Sequence, residues 1–117
     1  MIALGSQHNY YLYRHPADMR KGFDGLCGIV TQEMGRSPLD GSVYIFINRK
    51  RDRMKLLVWE ASGFWLYYKR LEQGTFQLPA VDRDGHARTD WETLVLMLQG
   101  IGLEGLKRRK RYALQGA

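Results

Sequence analysis

The sequence has almost no cysteine and no long apolar segment, and each absence excludes a class of protein. The single cysteine, Cys27, cannot form an internal disulfide, and it shares no zinc-ligand spacing with the three histidines. Apolar runs such as 43–47 and 94–98 contain at most five residues, whereas a membrane-spanning helix needs ~20. The N-terminus lacks the basic and apolar segments of a secretory signal. We therefore expect a cytoplasmic protein without a membrane partner, metal site or cofactor.

The composition is that of one folded domain, but its charge is unevenly distributed. Of the 117 residues, 44% are hydrophobic and 26% are charged, which is enough to bury a core. The net charge of +6 comes from two short clusters. Residues 49–55 contain five basic side chains and one acid, and residues 107–111 contain five basic side chains and no acid. Such patches on a mildly acidic remainder favour a polyanionic partner.

The hydrophobic pattern predicts an α+β fold, in which an antiparallel β-meander of three to four strands packs against two main helices. A tyrosine-rich strand at 10–13 precedes the meander, whose strands are predicted at 43–47, 53–60 and 64–71. A polar loop at 48–52 and a tight turn at 61–63 join them. Both faces of the second strand are partly apolar, so we expect helices to cover the sheet.

Two segments carry apolar residues at helical spacing. The first spans 17–34 with Asp18 in its first turn, but its three glycines each cost about 1 kcal/mol relative to alanine. A later start, near residue 24, therefore stays open. The second helix is predicted to begin with a capping box formed by Thr89 and Glu92, and residues 72–85 are interpreted as a connection. We assign 1–106 to a single domain and 107–117 to a basic, flexible tail.

The first cationic cluster is the main candidate site. Alternate residues of a strand project to one face, so Arg51, Arg53 and Lys55 are predicted to form a row with a spacing of ~7 Å, comparable to phosphates along one DNA strand. A two-stranded ribbon also fits the major groove, and the tail would add phosphate affinity. The predicted DNA-binding residues are Arg49, Lys50, Arg51, Arg53, Lys55, Lys69, Arg70, Lys107, Arg108, Arg109, Lys110 and Arg111. The alternative is that these side chains only solvate the surface.

No residue spacing indicates catalysis. The carboxylates and histidines do not follow the pattern of a metal-dependent nuclease or of a metal-free acid and base pair. Cys27 lies on an apolar helical stripe, where a core position is expected. We therefore predict no catalytic residue and no enzyme activity.

Three segments carry a resemblance to a known family: DMRKGFDGL at 18–26, VYIFINRKRDRMKLLVW at 43–59 and GFWLYYKRLEQGTF at 63–76. In this order they resemble the accessory protein TnpB, or second-reading-frame protein, of insertion-sequence-66-type bacterial transposons. The unrelated RNA-guided nuclease with the same label has no such likeness. The resemblance implies a role in DNA transposition beside a separate transposase that carries the acidic catalytic residues. The basic run after Leu106 lies outside the shared core.

The first hypothesis is therefore a non-catalytic DNA-binding accessory protein that acts with the transposase on transposon ends. One alternative is an adaptor that docks on the transposase without binding DNA. The other is a small nuclease. Neither the oligomeric state nor the DNA sequence is predicted.

Overall fold

The computed structural model describes residues 3–79 and 86–99. Its elements, in chain order, are β1 (Tyr10–Tyr13), α1 (Phe23–Gln32), β2 (Val43–Ile47), β3 (Arg53–Glu60), β4 (Gly63–Arg70), β5 (His86–Thr89) and α2 (Trp91–Leu98). In this described part, five strands form one sheet in the order β4-β3-β2-β1-β5. Strand β1 runs parallel to β2, and the other neighbours are antiparallel. The predicted α+β class is confirmed, but the sheet is larger than predicted and mixed.

The meander of β2, β3 and β4 lies where the sequence predicts it. Strands β2 and β3 have the predicted bounds, and β4 is displaced by one residue. Ala61 and Ser62 form the two-residue turn between β3 and β4, and Ala61 has a positive φ of 54°. A positive φ at this position is typical of the turns that match the twist of antiparallel strands.

Strand β5 corrects the prediction for the segment before α2. It pairs antiparallel with β1, from Tyr10 opposite Thr89 to Tyr13 opposite His86. Thr89 therefore belongs to a strand, and the predicted capping box is wrong. The N-cap is Asp90, whose Oδ1 accepts a hydrogen bond of 2.8 Å from the backbone N–H of Thr93. This bond also lowers the pKa of the Asp90 carboxyl.

Helix α1 is shorter than the periodicity predicts, and the later start is confirmed. It begins at Phe23 after Gly22, which provides no side-chain cap. Asp18 lies in the preceding loop, where it accepts hydrogen bonds from the backbone and the guanidinium of Arg20. The shorter helix still has a buried face, which includes Leu26 and Val30.

The two helices cover opposite faces of the sheet. Strand alternation directs Ile45 and Leu56 towards Leu94 on α2. The intervening side chains, such as Tyr44 and Leu57, pack against α1. Because both faces are covered, β2 is apolar at every position. Helices on both faces thus position the strand ends and the loops between them.

The segment predicted to form the basic tail, 107–117, lies outside the described residues, as does the end of the predicted domain at residue 106. Within 3–79 and 86–99, neither helix has the length and apolar content to cross a membrane.

Candidate nucleic-acid interface

The strand directions bring the basic loops to one end of the sheet. Parallel β1 and β2 finish at the same end, antiparallel β3 starts there, and β4 finishes there. The loop after β1 contacts the end of β2 directly, because the N–H of Ala17 donates to the carbonyl of Ile47 at 2.8 Å. We call this region the basic end, and define it by Arg14, Arg20, Lys21, Arg49, Lys50, Arg51, Arg53, Lys55, Lys69 and Arg70.

The basic end holds ten of the twelve lysines and arginines in the described residues, and the other two are Arg36 and Arg88. Its loops and strand ends also carry three acids: Asp18, Asp52 and Glu72. The described part of the molecule is therefore electrostatically polarised along its strands. A cationic surface of this kind attracts polyanions over a range set by salt screening.

The loop between β2 and β3 is ordered by the side chain of Asn48. Its Oδ1 accepts hydrogen bonds of 3.0 Å from the backbone N–H groups of both Asp52 and Arg53. Its Nδ2 donates to Asp52 Oδ1 at 2.7 Å. The Asn48 carbonyl also accepts from the N–H of Arg51 at 3.0 Å, which closes a turn over Arg49 and Lys50. The three exposed cations of the loop thus project from a fixed backbone.

A second set of bonds ties this loop to the chain after β4. The N–H of Phe76 donates to the carbonyl of Arg51, and the N–H of Leu71 donates to the carbonyl of Asp52, both at 2.7 Å. The Phe76 side chain is fully buried in the core beneath α2. The loop is therefore connected to the core through the backbone, rather than free at the hairpin tip.

The predicted row of Arg51, Arg53 and Lys55 does not form. Arg51 lies in the loop with a positive φ of 59°, so strand alternation does not extend to it. Lys55 is 7% exposed, and its Nζ donates to the carbonyls of Met19 at 2.7 Å and Lys21 at 2.9 Å. The sequence did not reveal this burial, because the loop that covers Lys55 is distant in sequence. It reaches Lys55 only because the chain crosses over from β1 to α1. Lys55 joins that loop to β3, and we remove it from the candidate interface.

Arg53 and Arg70 bring the end of β4 beside the hairpin loop. They are opposite each other in the β3–β4 ladder. Arg53 Nη1 is 3.2 Å from the hydroxyl of Tyr68, and Arg70 pairs with Glu72 at 2.9 Å. Lys69 points to the other face, where its Nζ donates to the carbonyl of Leu98 at the end of α2. A lysine at this position favours the helix C-terminus.

Sequence reasoning missed Arg14, Arg20 and Lys21, because they are dispersed along a segment that was interpreted partly as helix. Only the parallel pairing of β1 with β2 brings them beside the hairpin loop. Arg20 is paired with Asp18 at 2.8 Å, and its hydrogen bonds lower the pKa of Asp18 to about 2. Within the described residues, Arg14, Lys21, Arg49, Lys50 and Arg51 have no carboxylate partner.

The charges away from the basic end are balanced differently. Arg36 pairs with Asp40 at 3.2 Å and lies over the ring of Tyr11, 3.8 Å from its centroid. Both Arg36 and Asp40 contact the hydroxyl of Tyr44, whose pKa is raised to about 12 by burial and by the Asp40 hydrogen bond. Arg36 therefore stabilises the fold through these contacts, and we do not include it in the candidate interface.

No group of three histidine, cysteine, aspartate or glutamate side chains in the described ranges is arranged to hold a metal ion. Cys27 is half-buried on α1, and burial, together with the charge of Asp24, raises the pKa of its thiol. A raised pKa disfavours the reactive thiolate. His86 lies on β5, opposite Tyr13.

Fold and charge together define an α+β protein whose described part has a strongly cationic end. A family model described as "IS66 Orf2 like protein" matches residues 8–108. The chain belongs to this family of transposition-associated accessory proteins, as the resemblance implied. It is 32% identical over 94 residues to "Uncharacterized protein y4jC" of Sinorhizobium fredii, covering 80% of each chain. It is 29% identical over 82 residues to "Uncharacterized protein y4hO" of the same organism, covering 70% of this chain and 71% of that one. No solved structure gives a significant match.

Proposed function

We propose that this protein is a non-catalytic DNA-binding accessory factor for transposition of an insertion-sequence-66-type element, acting with a separate transposase on transposon ends in the cytoplasm. The observation that supports DNA binding is the concentration of exposed cations at the basic end, on a loop fixed by Asn48 and Phe76. Family membership supports the link to transposition. The two observations are independent of each other.

The physical argument is one of unpaired charge. Arg49, Lys50 and Arg51 are exposed and have no carboxylate partner in the described part of the chain. Neutralising DNA phosphates releases condensed counterions, which is the main source of affinity for such surfaces. Contacts of this kind fix the position of the protein on DNA, but they do not by themselves read the sequence.

The direct test is a fluorescence-anisotropy titration of labelled transposon-end DNA and of a scrambled duplex at several salt concentrations. If about five phosphates are neutralised, the logarithm of the binding constant falls with the logarithm of salt with a slope of about -4.5. The double variant Arg49→Gln, Lys50→Gln should reduce the magnitude of this slope by about 2. Arg88→Gln, which removes an exposed cation away from the basic end, is the matched control and should leave the slope unchanged. A wild-type protein that binds neither duplex contradicts the proposal.

An adaptor role is the second candidate, and one observation favours it. Strand β4 is one edge of the described sheet and carries two exposed aromatic side chains on opposite faces, Trp65 at 38% and Tyr68 at 51%. Exposed aromatics on a strand are typical of protein-binding surfaces. Capture of the transposase that survives high salt, together with an absence of DNA binding, supports the adaptor. Loss of that capture in Trp65→Ser identifies the surface.

Absence of catalysis is part of the proposal and needs its own test. Purified protein is incubated with labelled DNA and RNA, with and without magnesium, and the products are separated by size. We expect no cleavage. Cleavage that is abolished in Glu72→Gln or His86→Ala would establish a nuclease and overturn the non-catalytic assignment.

A further inference from the structure

We propose that a cleft at the basic end binds the terminal phosphate monoester of a DNA strand. This inference rests on the proposed DNA-binding function and specifies the chemical group that the site prefers. The cleft has a volume of about 230 Å³ and lies between the loop after β1 and the hairpin loop. Its polar wall includes Arg14, His15, Arg49 and Arg51, so we call it the guanidinium cleft.

The charge of the guanidinium cleft is not balanced from within. Three arginines line it, and none of its lining residues, all of which the structure describes, carries a carboxylate. Arg14 Nε donates to His15 Nε2 at 3.0 Å, which orients Arg14 and leaves its terminal nitrogens available. Tyr13 also lines the cleft, and its hydroxyl donates to Glu33 at 2.7 Å. Glu33 itself does not line the cleft.

The backbone of Arg51 provides an independent observation. Its φ of 59° lies in the left-handed region, where a residue other than glycine costs roughly 1–2 kcal/mol. Glycine is the usual residue after a turn of this kind. Because the backbone geometry would favour glycine here, we infer that the arginine is present for its side chain.

The ligand class follows from charge and shape. A phosphate monoester carries a charge of about -1.5 to -2 at neutral pH, whereas an internal phosphodiester carries one negative charge. Three guanidinium groups without a carboxylate therefore favour the monoester, and each offers paired donors to phosphate oxygens. A terminal phosphate is attached to the DNA chain on one side only, so it can enter a recess. An internal phosphate is attached on both sides, so a recess must accommodate the chain on both sides of it.

The test compares three oligonucleotide duplexes that are identical except for their ends, which carry a 5′-phosphate, a 3′-phosphate or only hydroxyl groups. We expect the wild-type protein to bind one of the phosphorylated duplexes about tenfold more tightly than the hydroxyl duplex, as expected for added charge-assisted hydrogen bonds. The arm that shows the preference identifies which strand end is bound. Arg51→Gly should abolish the preference while the melting temperature of the folded state stays the same or rises, because glycine relieves the strained backbone at this position.

Two further variants make the result specific. Arg14→Gln removes a cleft guanidinium from the other loop and should also abolish the preference. Lys50→Gln removes a neighbouring cation that does not line the guanidinium cleft, so it should weaken binding to all three duplexes equally. Equal binding of all three duplexes by the wild type overturns this inference and leaves the proposed function intact. Failure to bind any duplex overturns both.

Discussion

Arg53 and Arg70 lie directly opposite each other on neighbouring strands, as the final pair of the β3–β4 ladder at the basic end. Cross-strand pairs of like charge are destabilising. Tyr68 and Glu72 each contact one of the two guanidinium groups. The two arginines therefore add positive charge to the surface but lower the stability of the fold, and this loss of stability can be measured.

Replacing Arg70 should relieve that repulsion. We expect Arg70→Thr to leave the free energy of unfolding unchanged or to raise it by up to ~0.5 kcal/mol at low salt, because a β-branched residue also suits a strand. The gain should disappear at high salt, where screening already weakens the repulsion. Urea unfolding at two salt concentrations measures the effect. A large loss of stability at low salt would mean that the Glu72 pair outweighs the repulsion.

Lys55 is expected to contribute to stability and not to DNA binding. Lys55→Met keeps an unbranched side chain against the sheet, but leaves the carbonyls of Met19 and Lys21 without their donor. We expect a loss of about 1–3 kcal/mol in the free energy of unfolding. Affinity of the folded protein for DNA should stay within about twofold of the wild-type value, since the ammonium faces backbone rather than solvent.

The matched control for this prediction is Lys50→Met, which removes an exposed lysine from the hairpin loop. It should change stability by less than ~0.5 kcal/mol, and it should weaken DNA binding. If Lys55→Met weakens DNA binding more than Lys50→Met at the same folded fraction, the exclusion of Lys55 from the interface is incorrect.

Asn48 should couple loop geometry to binding. Asn48→Ala removes the acceptor for two backbone N–H groups, so we expect a loss of about 1–3 kcal/mol in the free energy of unfolding. DNA affinity should fall as well, because the three loop cations lose their fixed support. Asn48→Asp retains the acceptor, but sets a second carboxylate against Asp52. It should be intermediate in stability, and crystallography or amide chemical shifts of the loop can check its conformation.

Alkaline pH should destabilise the protein through Tyr13 and Tyr44. The pKa of each phenol is raised to about 12 in the folded state, mainly by burial and secondly by a hydrogen bond to a carboxylate. The unfolded chain has phenols near the ordinary value of about 10, so above that pH the folded state binds more protons. Stability is therefore fully present below pH ~10 and falls as the pH rises towards 12.

Urea unfolding between pH 8 and 12 measures this decline, and Tyr44→Phe should make it shallower. Ultraviolet titration provides an independent measurement. A single ionisation midpoint near pH 10 for all seven tyrosines contradicts the prediction.

Local patterns were sufficient to predict the meander, but they did not determine its neighbours. Strand β2 is a run of β-branched and aromatic residues, and β3 alternates between two apolar faces, so their own sequences define them. Strand β5 has four residues and no measurable period, and it is held in place by pairing with β1. The N-cap of α2 was therefore predicted one residue too early, at Thr89 instead of Asp90.

The candidate interface was predictable where the cations are contiguous and not where they converge from distant segments. The cluster at 49–53 is visible in the sequence, whereas Arg14 joins it only through the parallel pairing of β1 and β2. Conversely, Lys55 belongs to the cluster in sequence, but in the structure the loop after β1 covers it. Both differences have one cause, which is the crossover that returns the chain through α1.

The hydrogen bond from Phe76 to Arg51 has a consequence for how the protein meets its ligand. Since the side chain of Phe76 is sealed in the interior, the hairpin tip cannot adjust its shape without partly opening the hydrophobic interior. Recognition then proceeds by docking of a preformed surface, and any bending required at the contact falls on the DNA. Sites that deform easily, such as pyrimidine–purine steps, would be preferred even without contacts to their bases.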